Sequence, residues 1–111
     1  MTVFAIMPVF NRVEMTKSML ACLEAQRTKE KLAIIIVDDG SSDGTHEFLK
    51  QNSKVTVLQG DGSLWWGGSI QLGWRYVEKI AVDEDWILLI NNDLHIKPDF
   101  LENLICAAKI S

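Results

Sequence analysis

The sequence predicts an α/β domain, doubly wound, with a mostly parallel sheet and helices on both faces. Three observations carry that expectation. Four short apolar runs alternate with four stretches of helical periodicity. The second run, Leu32–Val37, is a continuous Ile-rich block of the kind found in strands covered on both sides. Two of the runs then empty into polar clusters, Asp38-Asp39-Gly40 and Asn91-Asn92-Asp93, and open α/β sheets bind ligands in the crevice at their strand carboxyl ends.

Taken in order, Val3–Met7 reads as a buried strand ended by Pro8. Asn11 and Glu14 then have the spacing of a helix N-cap and its reciprocal partner, so a helix is expected from about Arg12. Met15, Met19, Cys22 and Leu23 recur at helical spacing and mark its inward face. After the Ile-rich strand, Ser41–Gly44 forms a turn, and Ser42 or Asp43 caps a short helix running to about Gln51. Val55–Leu58 supplies a third strand before the glycine-rich stretch Gly60–Gly68. Ile70, Trp74, Val77 and Ala81 mark the next helix, and Trp86–Ile90 the fourth strand. Pro98 suits the first position of a last helix with Leu101, Leu104, Ile105 and Ala108 inward.

With 111 residues there is room for one domain, residues 1–111, and for a real core. The apolar runs are far shorter than the ~20 residues of a membrane span. A net charge of −4 without a basic stripe excludes a general nucleic-acid binder, though not a single bound nucleotide. Cys22 and Cys106 fall in apolar helical patterns without metal-ligand spacing and read as buried thiols. The N-terminus lacks the regions of a signal peptide, from which a cytoplasmic location is expected.

Asp38 and Asp39 offer acceptors suited to the N–H of a pyrimidine base or to ribose hydroxyls; an Asp-Gly turn in water is the competing reading. Asn91, Asn92 and Asp93 carry one formal negative charge, too little for a closed metal site. It suffices for Mg²⁺ or Mn²⁺ shared with a nucleotide diphosphate, the alternative being a turn residue. The only cationic side chains near the expected strand ends are Arg12 and Lys97. The Gly60–Gly68 stretch is neither a P-loop nor a dinucleotide fingerprint. Gly67 and Gly68 are expected to open a helix whose free N–H groups attract phosphate. Trp65 and Trp66 either stack on a base or sugar or anchor the loop in the core, whereas Trp74 and Trp86 read as core. His46 and His95 have no partners legible in sequence, and no Ser–His–Asp or Cys–His arrangement can be argued.

Taken together, IMPVFNR at 6–12, IIVDDGSSDGT at 35–45, GDGSLWWGGSIQLG at 60–73 and NND at 91–93 resemble the family 2 glycosyltransferases of the GT-A fold. The paired-Trp block is similar to the rhamnosyltransferase-like branch. The resemblance implies the N-terminal, Rossmann-like, nucleotide-sugar-binding half of such a fold. The base of a UDP- or dTDP-sugar would rest on Pro8, Val9 and Phe10 and be contacted by Asp39, with Asn11 and Arg12 shaping the same end. Asp93 would ligate Mg²⁺ or Mn²⁺, and Asn91 and Asn92 would contact ribose; Gln71 stands where the family often has Asn. Asp38 and Gly68 complete the expected donor-binding set. The implied reaction is inverting transfer of the sugar to a hydroxyl of a saccharide or lipid-linked acceptor, as in polysaccharide biosynthesis. Family members are about twice as long and carry the acceptor site and general base in their second half. The isolated chain is therefore expected to lack the base and to be inactive. It is also expected to expose a sheet edge through which copies self-associate. A non-catalytic nucleotide- or carbohydrate-binding module is the alternative.

Overall fold

The computed structural model describes residues 1–110. Its elements are β1 (Thr2–Val9), α1 (Val13–Glu24), β2 (Lys31–Asp38), α2 (Thr45–Lys50), β3 (Val55–Gln59), α3 (Trp65–Glu78), β4 (Trp86–Leu89) and α4 (Phe100–Ile110). The strands form one sheet in the order β3-β2-β1-β4, and every pairing is parallel. The chain builds outward from β1 through β2 to β3 and then crosses back to place β4 on β1's other side. That reversal creates a switch point above the carboxyl ends of β1 and β4, where ligands of such folds bind.

Strand alternation divides the core. Ala5, Met7, Val9, Ile34 and Ile36 face one side and pack with Met19, Leu20 and Leu23 of α1 and Leu49 of α2. Val3, on that same side, meets Leu101 and Ile105 of α4. Phe4, Ile6, Ile35 and Val37 face the other side and pack against Val77, Ile70 and Leu72 of α3. The Ile-rich run is therefore buried on both faces, as its lack of alternation predicts. The helix α3 lies especially close: a Cβ on Gly73 would stand 2.6 Å from Ile6 Cγ2, so only glycine permits this approach.

Several local expectations are corrected. Pro8 does not end β1, which continues to Val9. Ile6 O accepts from Ile90 N, whereas Val9 O accepts from Asp39 N, so even-numbered β1 residues direct their backbone toward β4. The N–H that Pro8 lacks would point past the last β4 residue, where no ladder bond is lost. Asn11 is not the cap of α1. The helix begins at Val13, Arg12 occupies the cap position in the left-handed region, and Val13 N donates to Asp43 Oδ2 at 3.0 Å instead.

The inward face of α1 is Thr16, Met19, Leu20 and Leu23, with Met15 exposed. Trp74 is also exposed, its indole N–H donating to Glu78, while Trp86 is half-buried beside α4. Leu104 is 40% exposed, and Pro98 precedes α4 in a turn rather than opening it. Of the thiols, Cys22 is half-buried and Cys106 exposed. Among the described residues, no helix is long and apolar enough to cross a membrane.

Candidate functional site

Alternation of side chains along a strand decides what the two consecutive aspartates do. Asp38 ends β2 on the α1 and α2 side. It is fully buried; Oδ1 accepts from Ser41 N at 3.0 Å, and Oδ2 has no hydrogen-bond partner, with His46 Nδ1 4.0 Å away. His46 Nδ1 is in turn 3.1 Å from Gln59 Nε2. Asp38 thus braces the turn after β2 from behind, and its carboxylate does not reach the crevice.

Asp39 faces the α3 side. Its Oδ1 accepts from Gly62 N at 2.8 Å and Leu64 N at 3.3 Å, and its Oδ2 from Trp65 N at 2.9 Å. One buried carboxylate therefore gathers the Gly60–Trp65 loop and caps α3 from a distant strand, which complements the positive end of the helix. The loop's glycines make that approach feasible. A Cβ at Gly60 would lie 2.5 Å from Asp39 Oδ1, and one at Gly40, where φ is +80°, would press on the Gly62 backbone at 3.0 Å.

Consequently α3 opens at Trp65, not at Gly67 and Gly68. Gly68 N donates to Leu64 O, and its missing side chain makes room for Leu64, whose Cβ would be 3.1 Å from a Cβ there. Gly68 serves packing, and the N-terminal N–H groups of Leu64 and Trp65 are already held by Asp39 rather than open to phosphate.

Beside this anchor lies a cavity of about 250 Å³ lined by Pro8, Val9, Phe10, Asp39, Gly62, Trp65, Trp66 and Ser69. Phe10, Trp65 and Trp66 are 56%, 79% and 55% exposed, an unusual placement for large aromatics that leaves their rings available to a planar or sugar-like ligand. Backbone strain clusters near them: among the described residues, Asn11, Arg12 and Trp65 are the non-glycine residues with positive φ, at 54°, 58° and 58°. Asn11 is held there by two bonds to the turn after β2: its N donates to Ser41 Oγ at 2.7 Å, and its Oδ1 accepts from Ser42 N at 2.8 Å. In that turn the Thr45 hydroxyl, with the N–H groups of Val13 and Thr45, holds the Asp43 carboxyl below its ordinary range.

The β4 end completes the crevice. Asn91 Oδ1 accepts from the Trp66 indole N–H at 2.9 Å, and Asn92 Nδ2 donates to Thr16 Oγ1 at 3.1 Å, so both amides have partners within the chain. Asp93 is exposed, with no hydrogen bond or ion pair among the described residues. No group of three His, Cys, Asp or Glu side chains that could hold a metal occurs among the described residues. One exposed carboxylate does not make a closed protein cage, so a divalent ion held by Asp93 would need most of its ligands from elsewhere.

The chain as a whole matches a known family. The family model described as Glycosyl transferase family 2 matches residues 4–109. The chain belongs to that family. Among solved structures it is similar to S. aureus TarS 1-349, with 21% identity and a TM-score of 0.74 over 99% of this chain and 33% of that one. The same TarS fragment in complex with UDP gives 19% identity and a TM-score of 0.81 over 99% of this chain and 32% of that one. A longer TarS chain gives 21% identity and 0.79, covering 99% of this chain and 20% of its own length. The chain thus spans a third or less of the TarS chains, and the likeness establishes the family's Rossmann-like GT-A half as its fold. No curated protein matches the chain.

Of the residues picked out from sequence, Pro8, Val9, Phe10 and Asp39 line the cavity together. Asn11 and Arg12 follow directly, and Asn91 joins through Trp66. Asp38, Asn92, Asp93 and Gly68 do not line it. Gly62, in the glycine-rich stretch, lines the cavity as well, and so does Ser69, which sequence does not single out although the helical period places it one turn from Trp65 and Trp66. A Cys–His contact also went unforeseen: Cys22 Sγ is 3.6 Å from His95 Nδ1, across 73 residues of sequence.

Proposed function

We propose that this chain is the donor-binding half of a nucleotide-sugar glycosyltransferase, taking a UDP- or dTDP-sugar. The observation that carries the reading is the aromatic cavity beside one buried carboxylate at the carboxyl ends of β1 and β2. A carboxylate has about four acceptor positions, and backbone N–H groups occupy three on Asp39. One remains for the imide N–H of a pyrimidine, while Phe10, Trp65 or Trp66 covers its face. TarS, similar in fold, has been crystallised with UDP.

In this reading the Pro8–Phe10 segment seats the base and the Asp39-anchored loop walls it. Asp93 would hold a divalent ion at the diphosphate end, and such an ion would neutralise charge on the leaving group. Arg12, next to the Pro8–Phe10 segment, adds positive charge at the rim; Lys97, expected there from sequence, instead lies beside Gln26 and Arg27 past the end of α1, at the opposite end of the sheet. None of these carboxylates is assigned as the base that deprotonates the acceptor hydroxyl. Inversion at the anomeric carbon requires a base from outside these residues, so the chain alone binds donor without transferring it.

Isothermal titration of UDP and dTDP, with and without Mn²⁺ or Mg²⁺, on the wild-type chain and on Asp93→Ala tests the proposal. The expected result is binding strengthened by metal in the wild type, with the metal effect gone in Asp93→Ala and its melting temperature unchanged. Absence of nucleotide binding by a folded sample would refute the donor assignment, and an unchanged metal effect in Asp93→Ala would refute the metal assignment.

A further inference from the structure

The hydrogen bond from the Trp66 indole N–H to Asn91 Oδ1 is the direct link between the glycine-rich loop and the end of β4. Trp66 lines the cavity, and Asn91 is two residues before Asp93. Resting on the donor-site reading above, we infer that Asn91 is a positioning residue. It holds Trp66 as one wall of the nucleotide site and joins that wall to the segment carrying the diphosphate-binding aspartate.

The physical case begins with how little else fixes Trp66. It is 55% exposed, Gly67 follows it with open space where a side chain would be, and Trp65 before it sits at φ 58°. A ring so placed has several rotamers open to it in water. A 2.9 Å bond to a side-chain carbonyl selects one of them and spares the ligand the entropy of ordering the ring. Asn91 therefore acts on the nucleotide through Trp66. The bond also gives a reason for an amide here: its oxygen accepts from the indole without adding a negative charge next to a diphosphate.

Three substitutions isolate the bond. Trp66→Phe keeps an aromatic wall and removes the N–H donor; Asn91→Leu removes the acceptor; Asn91→Asp keeps an acceptor and adds a charge. In the ligand-free protein the Trp66 indole proton, identified by its loss in Trp66→Phe, is expected to shift upfield and exchange faster with water in Asn91→Leu. In Asn91→Asp it stays bonded. UDP affinity with Mg²⁺ is expected to fall about fivefold in each of Asn91→Leu and Trp66→Phe, and no further in the double variant, because both remove one bond.

An indole resonance unchanged in Asn91→Leu would overturn the bond itself, whatever the nucleotide does. A shifted resonance with UDP affinity equal to wild type, or losses that multiply in the double variant, would overturn the positioning role. Failure of the wild-type chain to bind UDP would refute the donor reading and this role with it, while the resonance would still decide whether the two side chains are joined.

Discussion

Replacing Asp39 by alanine should cost far more stability than a surface substitution. The carboxylate, 4% exposed, accepts from Gly62, Leu64 and Trp65 N–H groups. Hydrogen bonds to a charged acceptor contribute about 1.5–3 kcal/mol each when their loss leaves buried donors unpaired. Here Gly62 and Trp65 are exposed, so water takes over two of the donors, and only the Leu64 N–H stays partly shielded. Removing a buried charge also recovers some desolvation energy. Loss of the cap on α3, about 1 kcal/mol, together with the shielded bond places Asp39→Ala at about 2–3 kcal/mol. For a domain of this size that lowers Tm by about 8–12 °C. Asp39→Asn retains one acceptor oxygen and should lose about half as much. Thermal melts followed by far-ultraviolet circular dichroism, with urea titrations as a second measure, read both. An Asp39→Ala protein melting within about 2 °C of wild type would refute the idea that this carboxylate organises the loop, as would an asparagine variant less stable than the alanine one.

Gly73→Ala places a methyl group 2.6 Å from Ile6 Cγ2, so α3 must move off the sheet; about 1–3 kcal/mol of destabilisation is expected in urea unfolding. The same change at Gly67, which has open space, should be stabilising or neutral, and equal effects at both positions would contradict the packing described. Stability should also fall in acid. Asp43 is held below its ordinary range by the Thr45 hydroxyl, Asp61 by the Ser63 hydroxyl and N–H, and Asp85 by the Val82 and Thr2 N–H groups. Depressed folded-state values mean that the unfolded chain takes up protons first. The contribution is present above the unfolded value of about 3.9 and is lost as pH falls through the folded values. A urea midpoint that stays constant from about pH 5 to pH 3 would count against these three bonds.

Element order was legible because the strands are short apolar runs, broken only by Thr56 in Val55–Leu58, and each helix carries its own stripe. Less legible were the places where distant residues do a local job. Asn11 and Glu14 have the spacing of a capping box, yet the donor at Val13 is met by Asp43, and Asn11 ties down the turn after β2. Pro8 reads as a strand terminator unless the early end of β4 is known. Trp74 and Met15 fit a helical stripe but face water, because an apolar residue on a helix flank satisfies the period without reaching the sheet. In the site, Pro8, Val9, Phe10 and Asp39 were grouped by the family resemblance, and they meet in the structure because β1 and β2 are neighbouring parallel strands that end together. The Asp39 anchor, the Trp66–Asn91 bond and the Cys22–His95 contact join residues 23 or more positions apart and leave no trace in local sequence.

The opposite facing of Asp38 and Asp39 imposes a rule of parity on β2. Deleting or inserting one residue within Lys31–Val37 would rotate everything beyond it by half a pleat, exchanging the brace behind the sheet for the anchor in front and turning Ile34 and Ile36 toward α3. A change of two residues would restore the facing and alter only the strand's reach. Lineages of this domain should therefore vary β2 in length by even steps, and a designer who grafts the Asp-Asp-Gly turn onto another sheet must match that parity before any contact in the cavity can form.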